Sequence, residues 1–585
     1  MSNWAEMESV STDGSSSDFD KEPEVDTTRR CCFAAAGKRK TMASVLAEMD
    51  HEPTEGTRLG LLDLLCIGIG STVGSGVFVL TGEVLPVAGP AACVSWFFAG
   101  IACLLSGMSY MELSARLPTR GSCYTFSYHG LGELAAVVGA FCITLEYGIS
   151  GAGVARSWSG KLSSFLGEDF KHSVYFYFGK GTWADDATPA ELADPYARTD
   201  DNYLDLAGAL LTAKGCTLLL MGGLSLSKTV VNVMTFAKVA LVAFMVILGF
   251  AGASTTNIFE SGETFAPEGM KGILKATTLL FFGFIGFDEV CCLSSQAKNA
   301  SKVMPIALIG TLGGAAVISF TAQLAISMNA PPGQSTDFGD AFAAKGWTAS
   351  ASIVRIGELI LLPLVVLLSI LPQPEVSAAM STDRLIPSVF RRQSKNGVFT
   401  WGLALTGLVA LTALALACPF SVLWDVISLG VLLSFNLSNA ALVNIRYGNG
   451  GQVCQTRVNK LVIMMFFTCM AAGYMNWDGI ISPYMDGAKL QTKWLILCPV
   501  ITLAAVGITL HIKTGYTQLT GPQEGIFNAP CIPIIPALAI YVNSTLMAGI
   551  SWDNHLVLLV LLAAWLSMYA VYPFLARPAS LKVCE

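Results

Sequence analysis

Of the 585 residues, 53% are hydrophobic and 13% are charged, against roughly 25% charged in soluble domains. That leaves too little polar surface to solvate a globule of this size, and it excludes a soluble fold. Apolar stretches of about 18 residues or more recur along the chain, each a membrane-helix candidate, so the expected class is an all-α integral membrane protein with many spans.

Residues 1–57 read as a disordered cytoplasmic tail. Their acidic, Ser-rich opening, "MSNWAEMESVSTDGSSSDFDKEPEVD", has no apolar core and cannot bury enough surface to order itself. The first span must then act as the insertion signal. Cys31 and Cys32, beside Arg29 and Arg30, fit palmitoylation or two unmodified thiols.

About fourteen spans follow, near 61–85, 89–113, 133–155, 204–224, 229–252, 272–293, 306–327, 352–380, 400–417, 424–446, 459–477, 493–512, 532–549 and 554–576. With the N-terminus in the cytoplasm, the short inner loops collect Arg116, Arg120, Lys228, Lys298, Lys302 and Arg384. The long outer loop at 156–203 is acidic instead, with Glu168, Asp169, Asp185 and Asp186. This bias places both termini in the cytoplasm, including the tail at 578–585. The acidic outer face fits either a concentrator of cationic solutes or a simple complement to the inner face. Cys66, Cys93, Cys103, Cys142, Cys291, Cys292, Cys469 and Cys498 lie in or beside apolar runs, as small hydrophobes. No metal-type CxxC pair stands out, and no cofactor is expected.

The first span contains "GIGSTVGSGVF" at 68–78. A phosphate loop would need Gly-Lys-Ser/Thr, and a dinucleotide fingerprint would need a different third-glycine spacing, so both fail. Gly70 and Gly74 form a GxxxG that lets helices approach closely. The glycines continue to Gly76, however, among Ser71, Thr72 and Ser75, a density that favours unwinding. An unwound membrane helix must be buried or line a cavity. In secondary transporters such a break recurs in the matching span of an inverted repeat. The sixth span, "ATTLLFFGFIGFDEVCCL", is interrupted by Gly283 and Gly286 and carries Asp288 and Glu289.

Several ordered stretches resemble the cationic amino acid transporters of the amino acid–polyamine–organocation superfamily. They are "GIGSTVGSGVFVLTGEV", "YMELSARLPTRGSCYTFSYHGLGELAAVVGAF", "FFGFIGFDEVCCLSSQAKNASKVMPIA", "SAAMSTDRL", "LWDVISLGVLLSFNLSNAALVNIRY" and "FNAPCIPIIPALAIYVNSTLMAGISW". The similarity covers roughly residues 58 to 577. It implies a ten-helix core at 58–450, built as inverted five-helix repeats at about 58–252 and 270–448 with helices 1 and 6 broken. Four additional helices would follow at 451–577. Three cytoplasmic departures stand out: Ser294-Ser295-Gln296 with Ala300 in place of Gly-Glu-Glu and Pro, Glu375 in place of Arg, and Arg384 in place of Gly.

On this reading the substrate carboxylate meets amides freed around Gly74, Ser75 and Gly76 at a positive half-helix end. Its α-amino group meets carbonyls freed around Phe282, Gly283 and Ile285. The resemblance implies that Phe282 closes over the substrate; ordinary packing is the alternative. Lys238 lies deep in the fifth span, where a lysine costs about 2.5–3.5 kcal/mol on insertion scales and so must be paired, solvated or neutral. The resemblance places its ammonium where sodium-coupled relatives hold their ion, touching first-span carbonyls and eighth-span hydroxyls. It is also a candidate for proton exchange. Glu146, in "LEYG", either faces the pathway, for cation pairing or proton coupling, or ties neighbouring helices. Asp288 is expected to cap the second half of the sixth helix, and Asp425 to be structural.

The implied function is sodium-independent movement of L-amino acids, cationic ones such as arginine and lysine favoured, by alternating access. A neutral amino acid or polyamine carrier and an amino acid sensor remain as alternatives. An enzyme is not expected, since no metal cluster, phosphate loop or nucleophile–His arrangement appears and the chain has five histidines. Partners are the amino acid and membrane lipid, with no nucleic acid. The plasma membrane is favoured over a vacuolar or other endomembrane. Proton coupling, transport mode and oligomeric state stay open.

Overall fold

The computed structural model describes residues 58–167, 203–221, 228–253, 265–330, 336–394, 399–417, 420–448, 452–518 and 525–575, with short pieces at 37, 39–40, 170 and 175–177. Most of the expected tail 1–57, much of the acidic outer loop, and the tail 578–585 lie outside the described residues.

Among the described residues, twelve helices are long and apolar enough to cross a membrane: α1 Leu61–Glu83, α2 Leu85–Arg116, α3 Glu133–Leu166, α5 Thr229–Ala251, α6 Gly269–Cys292, α7 Ala300–Ser327, α8 Thr348–Thr382, α9 Thr400–Ala417, α10 Trp424–Tyr447, α11 Gln455–Met485, α12 Thr492–Gly515 and α14 Trp552–Tyr572. The other two expected spans are shorter apolar helices, α4 Ala207–Met221 and α13 Ile534–Ala548. The α13 helix falls below the roughly 20 residues that cross a bilayer untilted, while the described part of α4 ends at Met221, where the described residues stop. The chain is an integral, multi-pass, all-α membrane protein. Its only described strands, β1 Tyr175–Tyr177 and β2 Tyr203–Asp205, pair antiparallel just before α4.

Helices α1 and α10 are the most enclosed, and α12 and α14 the least. The α1 helix carries closely covered glycines and α10 a run of buried polar groups such as Ser434, Asn436 and Asn439, while α12 and α14 expose apolar side chains such as Leu503 and Val560. Bilayer lipid gives helices no hydrophobic drive to associate, so close packing and hydrogen bonds must hold them. Both are present. Gly107 of α2 abuts Leu312 of α7, and Gly473 of α11 abuts Ser544 of α13. Ser106 accepts from Asn439 at 3.2 Å and from Asn543 at 3.0 Å, and Asn543 also donates to Asn436 at 3.0 Å. This buried network stitches α2, α10 and α13 together.

A charged clasp secures the ends of α2 and α10. Arg446 reaches both oxygens of Glu112, at 2.5 and 2.9 Å, and the Ala529 amide donates to Glu112 at 2.7 Å. Arg116 pairs with Glu112 at 2.8 Å from one turn further along α2. The segment before α13 is thereby fixed to the first ten helices.

Candidate substrate and gating site

Helix α1 starts where the Asp63 carboxylate accepts from the Gly60 amide at 2.9 Å, which places an acid in the positive first turn. It is α-helical to Ser75 and widens to a π-helix over Gly76–Leu80. The sequence expectation of an unwound stretch with amides free at Gly74, Ser75 and Gly76 is therefore not met: the interruption is a widening of the helix. Two physical causes are visible. The Ser71 and Thr72 hydroxyls fold back onto the Ile67 and Gly68 carbonyls, at 3.0 and 2.8 Å, so the polar run is satisfied within the helix. The glycines are also tightly covered. A Cβ on Gly74 would lie 2.3 Å from Val365 of α8, and one on Gly70 would lie 2.7 Å from Thr235 of α5. Gly70 and Gly74 thus serve helix approach, while Gly76 serves the contact with α6.

Helix α6 does break. It is α-helical to Phe281, makes one 3₁₀ turn at Phe282–Phe284, turns extended at Ile285 with ψ 135°, and restarts after Gly286 at φ 118°. That φ requires glycine, and a Cβ there would stand 2.6 Å from Ser71 of α1. The Phe282 carbonyl accepts from the Ile285 amide at 3.1 Å, which closes the turn at the break. Asp288 sits in the first turn of the second half. The cap is Gly286, which corrects the expectation that Asp288 caps this helix.

The two interruptions meet. A Cβ on Gly76 would stand 3.0 Å from the Gly283 Cα and carbonyl oxygen, and one on Gly283 would strike the Trp96 ring at 2.3 Å. Trp96 of α2 is wholly buried, donates to Gln323 of α7 at 3.1 Å and meets Phe284 edge-on at 5.5 Å. Gln323 in turn donates to the Thr81 carbonyl of α1 at 3.1 Å. Phe282 is buried and packs against Trp424 of α10, whose indole N–H donates to the Leu279 carbonyl at 3.2 Å. Trp96, Gln323 and Trp424 frame the break, and sequence reasoning missed all three. Aromatic and amide side chains are too common in apolar spans to signal a site alone, although Gln323 was a visible polar residue in an apolar run.

Lys238 of α5 is fully buried, and its ammonium donates to the Gly70 carbonyl at 2.6 Å. One turn earlier Thr235 donates to the Cys66 carbonyl at 3.0 Å, so this face of α5 binds successive turns of α1. Lys238 also interacts electrostatically with Glu289 of α6. Glu146 of α3 is fully buried and faces Asp288, which accepts from the Tyr147 hydroxyl at 2.7 Å. The buried group thus holds three carboxyls, Glu146, Asp288 and Glu289, and one ammonium. Asp425 accepts from Asn554 of α14 at 2.6 Å, away from this group.

The departures on the N-terminal side also have partners. Glu375 pairs with Arg120 at 3.4 Å, the Ser294 hydroxyl donates to the Thr119 carbonyl at 3.1 Å, and Arg384 adopts φ 60°, the left-handed conformation that glycine takes most easily. Leu59, at the foot of α1, forms a parallel bridge with Ala297 after α6.

A family model described as amino acid permease matches residues 59–508. The chain is 27% identical to cationic amino acid transporter 4 of Mus musculus, over 92% of this chain and 91% of that protein. It is 30% identical to the methylthioribose transporter of Bacillus subtilis (strain 168), over 70% of this chain and 85% of that one. It is likewise 30% identical to the branched-chain amino acid permease BcaP of the same organism, over 70% and 85%.

Proposed function

The chain belongs to the amino acid permease family, and on that premise we propose that it is a sodium-independent secondary transporter of cationic L-amino acids, working by alternating access. Its relatives are named as transporters and permeases, and the chain is a transporter-family protein, not an enzyme. The observation that carries the reading is the contact of Gly76 with the broken α6 at Gly283, beside a buried lysine on the Gly70 carbonyl. Glycine on glycine lets two backbones touch, and parting them exposes peptide groups to a ligand.

In this reading α1–α5 and α6–α10, within 58–450, form the two repeats, and α11–α14 are the additional helices. Entry of an amino acid separates Gly76 from Gly283. Unwinding of α1 from Gly74 into the π turn frees amides near Gly74, Ser75 and Gly76 for the carboxylate, and the break near Phe282, Gly283 and Ile285 supplies carbonyls for the α-amino group. Phe282 and Trp424 cover the bound molecule. The Lys238 ammonium fills the place of a bound sodium ion. Three buried carboxyls against one ammonium leave an acidic excess, which a cationic side chain or a proton balances; Glu146 is the group assigned that role. A neutral substrate is the second reading, favoured by the similarity to the methylthioribose and branched-chain carriers. Both termini are placed in the cytoplasm, and the plasma membrane is the favoured location.

Uptake of labelled arginine into proteoliposomes without sodium, at two pH values and with each amino acid as competitor, tests this. Saturable flux competed by lysine is expected. Flux competed by leucine but not lysine would select the neutral carrier. Binding without flux would overturn transport, and an absolute sodium requirement would overturn the role of Lys238.

A further inference from the structure

Two residues far ahead of α1 are embedded in the folded body. The Lys40 side chain is 4% exposed and pairs with Asp383, just past the end of α8, at 3.1 Å. The same carboxylate oxygen accepts from the Tyr124 hydroxyl at 2.6 Å. Tyr124 belongs to the short helix Cys123–Gly130 between α2 and α3. In that helix His129 bonds through Nδ1 to the Lys40 backbone carbonyl at 2.8 Å. Arg39 reaches the other way and donates to Asn459 of α11 at 2.7 Å. Two consecutive residues therefore join the α2–α3 connection, the end of α8 and α11.

What lies beneath them matters more. Tyr124, Tyr128, Cys292, Val376, Met380 and Leu385 form an apolar cluster separate from the main core. It joins the second half of α6 to the end of α8 at the face that carries the N-terminus. Beside it, Arg120 pairs with Glu375, and the Leu59 bridge ties α1 to the loop after α6. A long lysine held in a nearly buried site loses much of its rotamer freedom, so the contact must be compensated by its charged hydrogen bonds. These bonds go to elements that have to separate if this mouth opens.

We propose that Arg39–Lys40 is a strap, an autoinhibitory contact of the N-terminal segment that holds shut the mouth of the pathway on its own face. Removing the Lys40–Asp383 bond lets the apolar cluster part more often. The strap rests on the alternating-access reading, and its test is chosen to be independent of flux. Cys292 is a natural reporter, since it is fully buried in the cluster and reacts with a bulky reagent only when the cluster parts.

The protein in lipid nanodiscs is treated with a polar maleimide, and modification of the Cys292 peptide is followed by mass spectrometry. Lys40→Ala and Asp383→Asn are expected to label roughly tenfold faster than the wild type, the scale of one charge-assisted hydrogen bond. Lys40→Arg should stay near the wild-type rate, and the swap Lys40→Asp with Asp383→Lys should return toward it. Tyr124→Phe, which removes only one hydroxyl, supplies a mild variant should the charge variants not fold. Equal labelling of wild type and every folded single variant overturns the strap. Faster labelling in a protein with no amino acid flux overturns the transport reading and leaves the strap standing; normal flux with unchanged labelling does the reverse.

Discussion

The contact of Gly76 with Gly283 makes a sharp demand on side-chain size. In Gly76→Ala the new Cβ would stand 3.0 Å from the Gly283 Cα and carbonyl oxygen and 3.3 Å from the Trp96 ring. Ordinary carbon contacts begin at about 3.5 Å, and two of these three atoms are backbone, which cannot rotate away. Overpacking of this kind costs about 1–3 kcal/mol, a factor of ~5 to 150 in the equilibrium that closes α1 on α6. Gly76→Leu adds an isobutyl group for which neither Gly283 nor Trp96 leaves room. Alternating access has to re-form this closed contact in every cycle, so arginine uptake into proteoliposomes should fall by about that factor in the alanine variant and vanish in the leucine variant, with both proteins monodisperse on gel filtration. Gly313→Ala is the control, because nothing lies within 4 Å of its new methyl, and its uptake should match the wild type. Near-normal uptake by Gly76→Leu would refute the assignment of this contact to the substrate site.

Lys238→Met removes the donor to the Gly70 carbonyl and the charge beside Glu289; uptake and its pH dependence should both change, and a wild-type profile across pH would deny Lys238 its role. Arg446→Gln leaves Glu112 in a buried site with its bidentate partner gone. Breaking a buried pair costs about 3–5 kcal/mol, so thermal unfolding in detergent should move down clearly; an unchanged transition would show that Arg116 alone satisfies Glu112. At the other face, Asp337 caps the helix Phe338–Ala344 and receives Lys161 at 3.2 Å. Burial works to raise its carboxyl, but Lys161, the Asp340 amide and Arg355 outweigh it and hold the group below the ordinary carboxylate range. A lowered folded-state value stabilises the helix above the unfolded value, near about 3.9, and that stability is lost as pH falls through the lower folded value. Hydrogen exchange in 338–344, corrected for intrinsic rates, should stay slow at neutral pH and rise only in strong acid; loss of protection already near pH 6 would contradict this.

The broken sixth helix was legible because its cause is chemical. Gly286 needs a left-handed φ, and acids follow it within an apolar run. The first-span interruption was legible in place and not in kind. A π widening and an unwound loop draw on the same glycines and hydroxyls, and the choice depends on what packs against them, here Val365, Gly283 and Trp96, which are remote in sequence. Lys238 announced itself by cost alone, but its acceptor could be named only as a first-span carbonyl until the register of α5 on α1 was seen. The short α13 looked like a full span because apolar composition extends beyond its helical ends. Lys40 gave no signal, since a basic residue in a polar tail is ordinary until Asp383 and Tyr124 arrive from distant segments.

The clasp around Glu112 bears on the order in which the protein is made. Glu112 and Arg446 are 334 positions apart, so the ribosome delivers a carboxylate near the membrane long before its bidentate partner exists. The Ala529 amide arrives later still. Arg116, one turn away on the same helix, emerges almost together with Glu112 and pairs with it at 2.8 Å. The second helix therefore brings a cation for Glu112 within its own sequence, one turn away, before Arg446 has been made.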